Sequence, residues 1–341
     1  MTRKRSVLAV IISIGLIAGL FFGVRQYLHP AFDFPTGMPG VDVVVAIPSG
    51  ASGADMAHIL AKEKVVKTWQ AFFKRASIDP RAMNIQPGAH RISTHLTAKN
   101  ALEQLLNRGR MVGLINITEG RRSSEILKIL RKAGWTLPDL ASAYANARPP
   151  IGYSSPTAEG YLFPASYSFA QGVSAIKVFQ TMIDRFSREA TSLNIVEGAK
   201  GLSLTPAQIV TVASLVQGEG DPADFSKIAR VILNRLADGM NLQLDTTILY
   251  ALNVAGRIRV TNSDLHVASR YNTYKYPGLP PGPINNPGQK ALSAALNPAT
   301  GSWLYFVTVK PGDTRFTSSE SQFFRWKAEY ERNYRTGAFK P

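Results

Sequence analysis

From Ser6 to Val24 the chain reads SVLAVIISIGLIAGLFFGV, without one charged residue. About 19 residues at roughly 1.5 Å rise just cross a hydrocarbon core of roughly 30 Å, so the run predicts a transmembrane helix. Whatever follows it then folds on one side of a membrane. Arg3, Lys4 and Arg5 precede the run and only Arg25 follows closely, and this excess of cations places the N-terminus in the cytoplasm and the remainder outside. The competing reading is a cleaved signal peptide, whose apolar stretch is usually about 7–15 residues and ends at a small-x-small site. Here the run is longer and ends in Phe21, Phe22, Gly23, Val24 and Arg25. The expectation is a single-pass anchor in the inner (cytoplasmic) membrane, residues 1–28, with a folded part on its periplasmic or outer side.

The chain has 341 residues, 45% of them hydrophobic, enough to bury a sizeable core and exclude a disordered or collagen-like chain. Single cores commonly stop growing at roughly 250–300 residues, so the length alone suggests two domains or one large one. A net charge of +16 favours a polyanionic partner: nucleic acid, an anionic membrane surface or an acidic cell-wall polymer. An exported domain meets no cytoplasmic nucleic acid, and wall polymers carrying carboxylate and phosphate fit the charge better. With no cysteine, disulfides, thiol nucleophiles and thiolate metal sites are excluded. The histidines, His29, His58, His90, His95 and His266, form no HxxxH pair, and there is no GxSxG elbow, Walker loop or helix-opening GxGxxG. No metal and no cofactor are expected.

Pro and Gly mark a linker at 29–40, after which VDVVVAI reads as a strand. Helical spacing follows at Met56, Ile59 and Leu60, and again from Lys67 to Ala76. Gly88–Ser93 reads as a strand, Thr97 as a cap, and Val112–Thr118 as a further strand. Ser123 or Ser124 can cap a helix that Gly134 stops. This mixture predicts an α+β module over 41–135, with a boundary in the weakly periodic Ala/Ser/Pro-rich stretch that follows and a larger mixed α/β domain over 150–341. In the latter, Val173–Arg188 has an amphipathic helical pattern, Thr205 and Pro206 open a helix that is apolar almost all round, and Asp221-Pro222 repeats the start signal.

Three places can carry chemistry. Glu219, in VASLVQGEG, closes the apolar helix, and an apolar setting raises a carboxyl's pKa toward general-acid use; the plain alternative is a solvated turn residue. In Asn241-Leu-Gln-Leu-Asp245, alternation puts Asn241, Gln243 and Asp245 on one side of an extended segment, where they can hold sugar hydroxyls or form the exposed face of an edge strand. Tyr271-Asn-Thr-Tyr-Lys-Tyr276 precedes a stiff loop containing Pro277, Pro280, Pro281, Pro283 and Pro287. Its rings can stack on pyranose faces or serve as packing.

Read in order, several strings resemble the YceG-like family of membrane-anchored endolytic murein transglycosylases, over nearly the whole chain. They are Glu159-Gly-Tyr-Leu-Phe-Pro164, Ala213-Ser-Leu-Val-Gln-Gly-Glu219, Val231-Ile-Leu-Asn-Arg-Leu236 with Gly239-Met240, Gln243-Leu-Asp245, Tyr271-Asn-Thr-Tyr274, and Gly278-Leu-Pro-Pro-Gly-Pro-Ile284 with Pro287-Gly288. Tyr305-Phe-Val307 and Phe316-Thr317 follow in family order.

The resemblance implies an enzyme that cuts inside peptidoglycan glycan strands between N-acetylmuramic acid and N-acetylglucosamine, leaving 1,6-anhydromuramic ends and limiting strand length. It places the catalytic acid at Glu219 and implies a LysM-like glycan-binding module near the N-terminus, with cell-wall synthases as further partners. Gln243, Asp245, Asn272 and Tyr274 become candidates for contacting or positioning substrate, and Glu159 a supporting residue. One carboxyl suffices for such a reaction, unlike the usual glycosidase pair. The chain departs from the family pattern at Gln217, where Glu is frequent, at Ala165-Ser166, where Asp-Thr is frequent, and at Thr246, where Pro is frequent. These missing acids motivate the alternative of a catalytically weak glycan-binding scaffold.

Overall fold

The computed structural model describes residues 32–257 and 259–339. The span predicted at Ser6–Val24 lies outside them, and no helix among the described residues is long and apolar enough to cross a membrane. Two compact units divide between Val112 and Gly113.

The first unit runs β1 (Asp42–Ile47), α1 (Gly53–Lys62), α2 (Trp69–Ile78), β2 (Gly88–Ser93), α3 (Ala98–Leu106) and β3 (Met111–Val112). Its strands form one antiparallel sheet in the order β1-β2-β3, with Val45 opposite His90. Strand alternation buries Val45 and Ile47 and turns Val44 and Ala46 outward, so one face meets the helices. Leu60, Phe72, Ile92, Leu102 and Leu105 fill the space between. Each helix starts where a hydroxyl can accept a free backbone N–H: Ser52 from Asp55, Thr68 from Ala71, Thr97 from Asn100.

The second unit runs β4 (Leu114–Asn116), α4 (Ser123–Lys132), α5 (Leu137–Asn146), β5 (Ser166–Ser168), α6 (Ala175–Ser192), α7 (Ile195–Gly201), α8 (Pro206–Glu219), α9 (Phe225–Ala237), α10 (Asp245–Ala251), α11 (Gln289–Leu296), β6 (Tyr305–Lys310), β7 (Asp313–Thr317) and α12 (Glu320–Arg335). Its two small antiparallel sheets pair β4 with β5 and β6 with β7. The helices supply the core, with α8 at its centre. Ile209 to Val216 are all buried, as the all-round apolar pattern requires.

The division falls earlier than the 135–150 stretch expected from composition. Ile126 and Leu130 of α4 and Leu140 and Ala143 of α5 belong to the second unit's core. Helix α5 itself was hidden by weak periodicity; Thr136 caps it and Pro138 lies in its first turn, where a missing N–H costs nothing.

The single strand expected over Val112–Thr118 is instead two, β3 and β4, in different sheets. Gly113 breaks it, at φ +60. A Cβ there would sit 1.9 Å from the Phe169 carbonyl oxygen, while the Gly113 carbonyl accepts from Phe169 N–H at 3.1 Å. Only glycine permits both the left-handed conformation and this approach. Gly113→Ala should cost at least about 2 kcal/mol through strain and displacement of β5. A denaturation midpoint equal to wild type would show that neither constraint is real.

Candidate active site

Helix α8 delivers Glu219. Its start is a reciprocal cap: Thr205 Oγ1 accepts from Gln208 N–H at 3.2 Å and Gln208 Oε1 accepts from Thr205 N–H at 2.8 Å. Its end is set by Gly220, in extended backbone. A Cβ at Gly220 would lie 2.3 Å from Ile228 Cδ1, so the absent side chain lets α9 close on the helix terminus. Asp221-Pro222 does not start α9, as the sequence predicted. Residues 221–224 form a turn, and Asp224 stands at the N-cap.

The Glu219 carboxyl is half-buried and meets α10. Thr246 Oγ1 donates a hydrogen bond to Glu219 Oε1. Burial pushes the Glu219 carboxyl up to about 7, the nearby Asp245 charge pushes the same way, and the Thr246 hydroxyl opposes both. Asp245 Oδ1 in turn accepts from the Tyr274 hydroxyl at 2.6 Å. Burial first, and that bond second, hold the Tyr274 phenol well above its ordinary value. It therefore stays a donor at every physiological pH. Glu219, Thr246, Asp245 and Tyr274 thus form one connected group.

The 241–245 segment is not an extended strand. Residues 241–244 lie in no sheet, Gln243 is left-handed at φ 54, and Asp245 already belongs to α10. The alternation in burial is present without a strand because this backbone is held by side chains rather than by a neighbouring strand. The buried Arg235 donates through Nη1 to the carbonyls of Asn241 and Leu242, each at 2.9 Å, and through Nε to Leu304 at 2.6 Å. From the other side, Gln243 N–H donates to the Thr273 carbonyl at 3.1 Å, and Leu244 N–H to Thr273 Oγ1 at 3.0 Å. Asn241 Nδ2 is spent on the Tyr274 carbonyl at 2.8 Å, and Gln243 is exposed.

Asn272 is fully buried. Its Nδ2 donates to the carbonyls of Leu265 and Val267 at 2.9 and 3.0 Å, and its Oδ1 accepts from Tyr274 N–H at 3.1 Å. Every polar atom of the side chain fixes the loop that carries Tyr274.

The proline-rich loop is tied to α8 by its few remaining polar groups. Ile284 N–H donates to Ser214 Oγ at 3.1 Å, Asn285 Nδ2 to the Ser214 carbonyl at 2.8 Å, and Gly288 N–H to Gln217 Oε1 at 3.0 Å. Gln217 therefore serves as an acceptor at the foot of the loop. Next in the loop, Asn286 Oδ1 accepts from Gly160 and Leu162 N–H at 3.0 and 2.8 Å. Its Nδ2 donates to Glu159 Oε1 at 2.9 Å. Glu159 is a second buried carboxyl, pushed up to about 7 by burial, and it also accepts from the N–H and hydroxyl of Ser123 at 2.9 and 3.0 Å. Ser123 is thus not the α4 cap expected from sequence; its hydroxyl is committed to Glu159.

Glu119 carries no sequence signal, yet a Cβ added to Gly288 would lie 2.0 Å from its Oε1. Its exposed carboxylate lies across Gly288, beside Gln217.

The model of the YceG-like family matches residues 45–329. An endolytic murein transglycosylase of Bacillus subtilis is 29% identical over 348 aligned positions, covering 92% of this chain and 91% of that protein. A protein of the same name from Streptococcus pneumoniae serotype 2 is 33% identical over 178 positions, covering 50% of this chain and 32% of its own length. A crystal structure of a yceG-like protein from Listeria monocytogenes superposes with a TM-score of 0.57 at 26% identity, over 84% of this chain and 99% of that one. The family model spans most of the chain and the relatives and solved structure agree with it, so this chain belongs to the YceG-like family.

Proposed function

We propose that this chain is a lytic transglycosylase that cuts within peptidoglycan glycan strands, with Glu219 as its acid and base. The observation that carries the reading is a single carboxyl at the end of an apolar helix, pushed up to about 7 and bonded on one oxygen. In its protonated form, it gives its proton to the glycosidic oxygen as the bond from muramic C1 to the leaving sugar breaks. The resulting carboxylate takes the proton of the muramic C6 hydroxyl, whose oxygen attacks C1 and closes the 1,6-anhydro ring. The proton balance is zero, no water is consumed, and the enzyme returns to its starting state. Asp245 and Tyr274 hold the neighbouring wall of the site, Gln243 is the exposed amide beside it, and Asn272 positions Tyr274 from within the fold.

In this reading the Ser6–Val24 run anchors the enzyme in the inner membrane. The first unit acts as a LysM-like holder of glycan, and synthases that make new strands are its neighbours. The uncharged N-terminal run and the basic composition support this placement, and the relatives' names support murein as the substrate.

Incubating the full-length chain in detergent with purified glycan strands should release fragments ending in 1,6-anhydromuramic acid, lighter by one water than hydrolysis products. Because the acid must be protonated, kcat/KM should fall as pH rises through about 7. Hydrolytic ends would discard the mechanism. Binding without cleavage would favour the scaffold reading.

A further inference from the structure

Thr246 follows Asp245 in the first turn of α10 and reaches Glu219 across 27 residues of sequence. Its methyl side lies against α8: a Cβ built on Gly218 would be 3.4 Å from Thr246 Cγ2 and 3.5 Å from its Cβ. A β-branched side chain has few rotamers, and with its methyl turned toward α8 the hydroxyl faces the carboxyl.

We propose that Thr246 is the positioning residue of the acid: its hydroxyl holds Glu219 Oε1 and so assigns the transferable proton to Oε2. This rests on the reading of Glu219 as the acid. With the hydroxyl donating to Oε1, the proton of the neutral form is placed on the partner oxygen. Reaction then begins from one proton position rather than two. The other charged or titratable groups facing Glu219 are Asp245 from the same helix and Tyr274 from the 271–276 loop. The Tyr274 proton is already given to Asp245, leaving Thr246, through its hydroxyl and also its backbone N–H, as the donor to Glu219; Thr246→Val removes the first and keeps the second.

The test compares Thr246→Val, which keeps the shape and removes the hydroxyl, with Thr246→Ser, which restores it, in the full-length chain acting on glycan strands. Losing a donor to the carboxylate disfavours the ionised form, so Thr246→Val should move the alkaline limb of kcat/KM upward by about one pH unit. It should also lower kcat about tenfold at unchanged KM, because substrate still binds but the proton is no longer pre-placed. Thr246→Ser should recover both. A residue that merely packed would leave the limb in place. If Thr246→Val does not fold, Thr246→Ala gives the same readout.

An unmoved limb, or one shifted to lower pH, overturns the proposal. Glu219→Gln run alongside separates the two levels of failure. If that variant is inactive while Thr246→Val titrates like wild type, the Thr246 role is wrong and the acid assignment stands. If Glu219→Gln still cleaves, the acid lies elsewhere and the Thr246 role falls with it.

Discussion

Glu219→Gln should leave the chain folded and able to bind glycan strands while lowering kcat by at least about 10²–10⁴, the usual worth of a general acid–base step. The amide keeps the size of the carboxyl, and its oxygen can still accept from Thr246. What it lacks is a proton to give and a basic oxygen to take one back, so both halves of the reaction fail together. The same substitution should alter the dependence of stability on pH. Glu219 titrates higher in the folded protein, at about 7, than its ordinary 4.5. Between those values the folded state holds the proton more tightly than the unfolded chain. The stability it contributes is therefore complete below about 4.5 and is lost as pH rises through about 7. Removing the titrating group removes that share of the slope, so Glu219→Gln should gain on wild type as the pH is raised. Anhydro ends produced by Glu219→Gln at near wild-type rate would refute the assignment, and an identical pH slope would show that the carboxyl is not held protonated by its surroundings.

The second large effect is expected at Arg235, which supports the segment leading into α10. Its guanidinium is buried, lies 5.0 Å from the centre of the Tyr305 ring, and donates to the carbonyls of Asn241, Leu242 and Leu304. Arg235→Met fills much of the volume but leaves those acceptors with no donor. Each buried unsatisfied group costs about 1–3 kcal/mol, offset by the relief of a buried cation, so a net loss of about 3 kcal/mol is expected. For a unit of this size that is a melting temperature lower by roughly 6–12 °C. Activity should fall even below the melting range, because the segment leading to Asp245 and Thr246 loses its support on one side. Arg235→Lys should recover only a minor part, since an ammonium cannot span three acceptors with a planar fork. Wild-type melting of Arg235→Met would mean that β6 and the 241–245 segment are held by something other than this side chain.

The proposed acid can be picked out in the sequence, because one glutamate closes a helix whose other positions are apolar nearly all round and the family resemblance falls on the same residue. Its surroundings are not. Thr246 looks like any hydroxyl in DTTILY, and nothing local shows that it meets a residue 27 positions earlier. Asn272 and Glu159 belong to motifs that the sequence can mark, but only packing shows that their polar atoms are consumed inside the fold. Alternation misreads 241–245 because a period of two in burial does not require a strand; an arginine and a left-handed glutamine give the same pattern. Ser123 satisfies the rule for a helix start, yet a buried carboxylate takes its hydroxyl. Local rules locate the elements, whereas the contacts that tune the site join distant segments.

The placement of Glu219 on the last turn of α8 has an electrostatic consequence. Aligned peptide dipoles leave roughly half a negative charge at a helix C-terminus, and α8 runs for 14 residues, ending on the acid. The backbone thus presents the carboxyl with a fixed like-signed field that no side-chain substitution can remove. The helix terminus works in the same direction as the Asp245 charge, so the neutral Gln217 nearby leaves this combined push on the Glu219 proton intact.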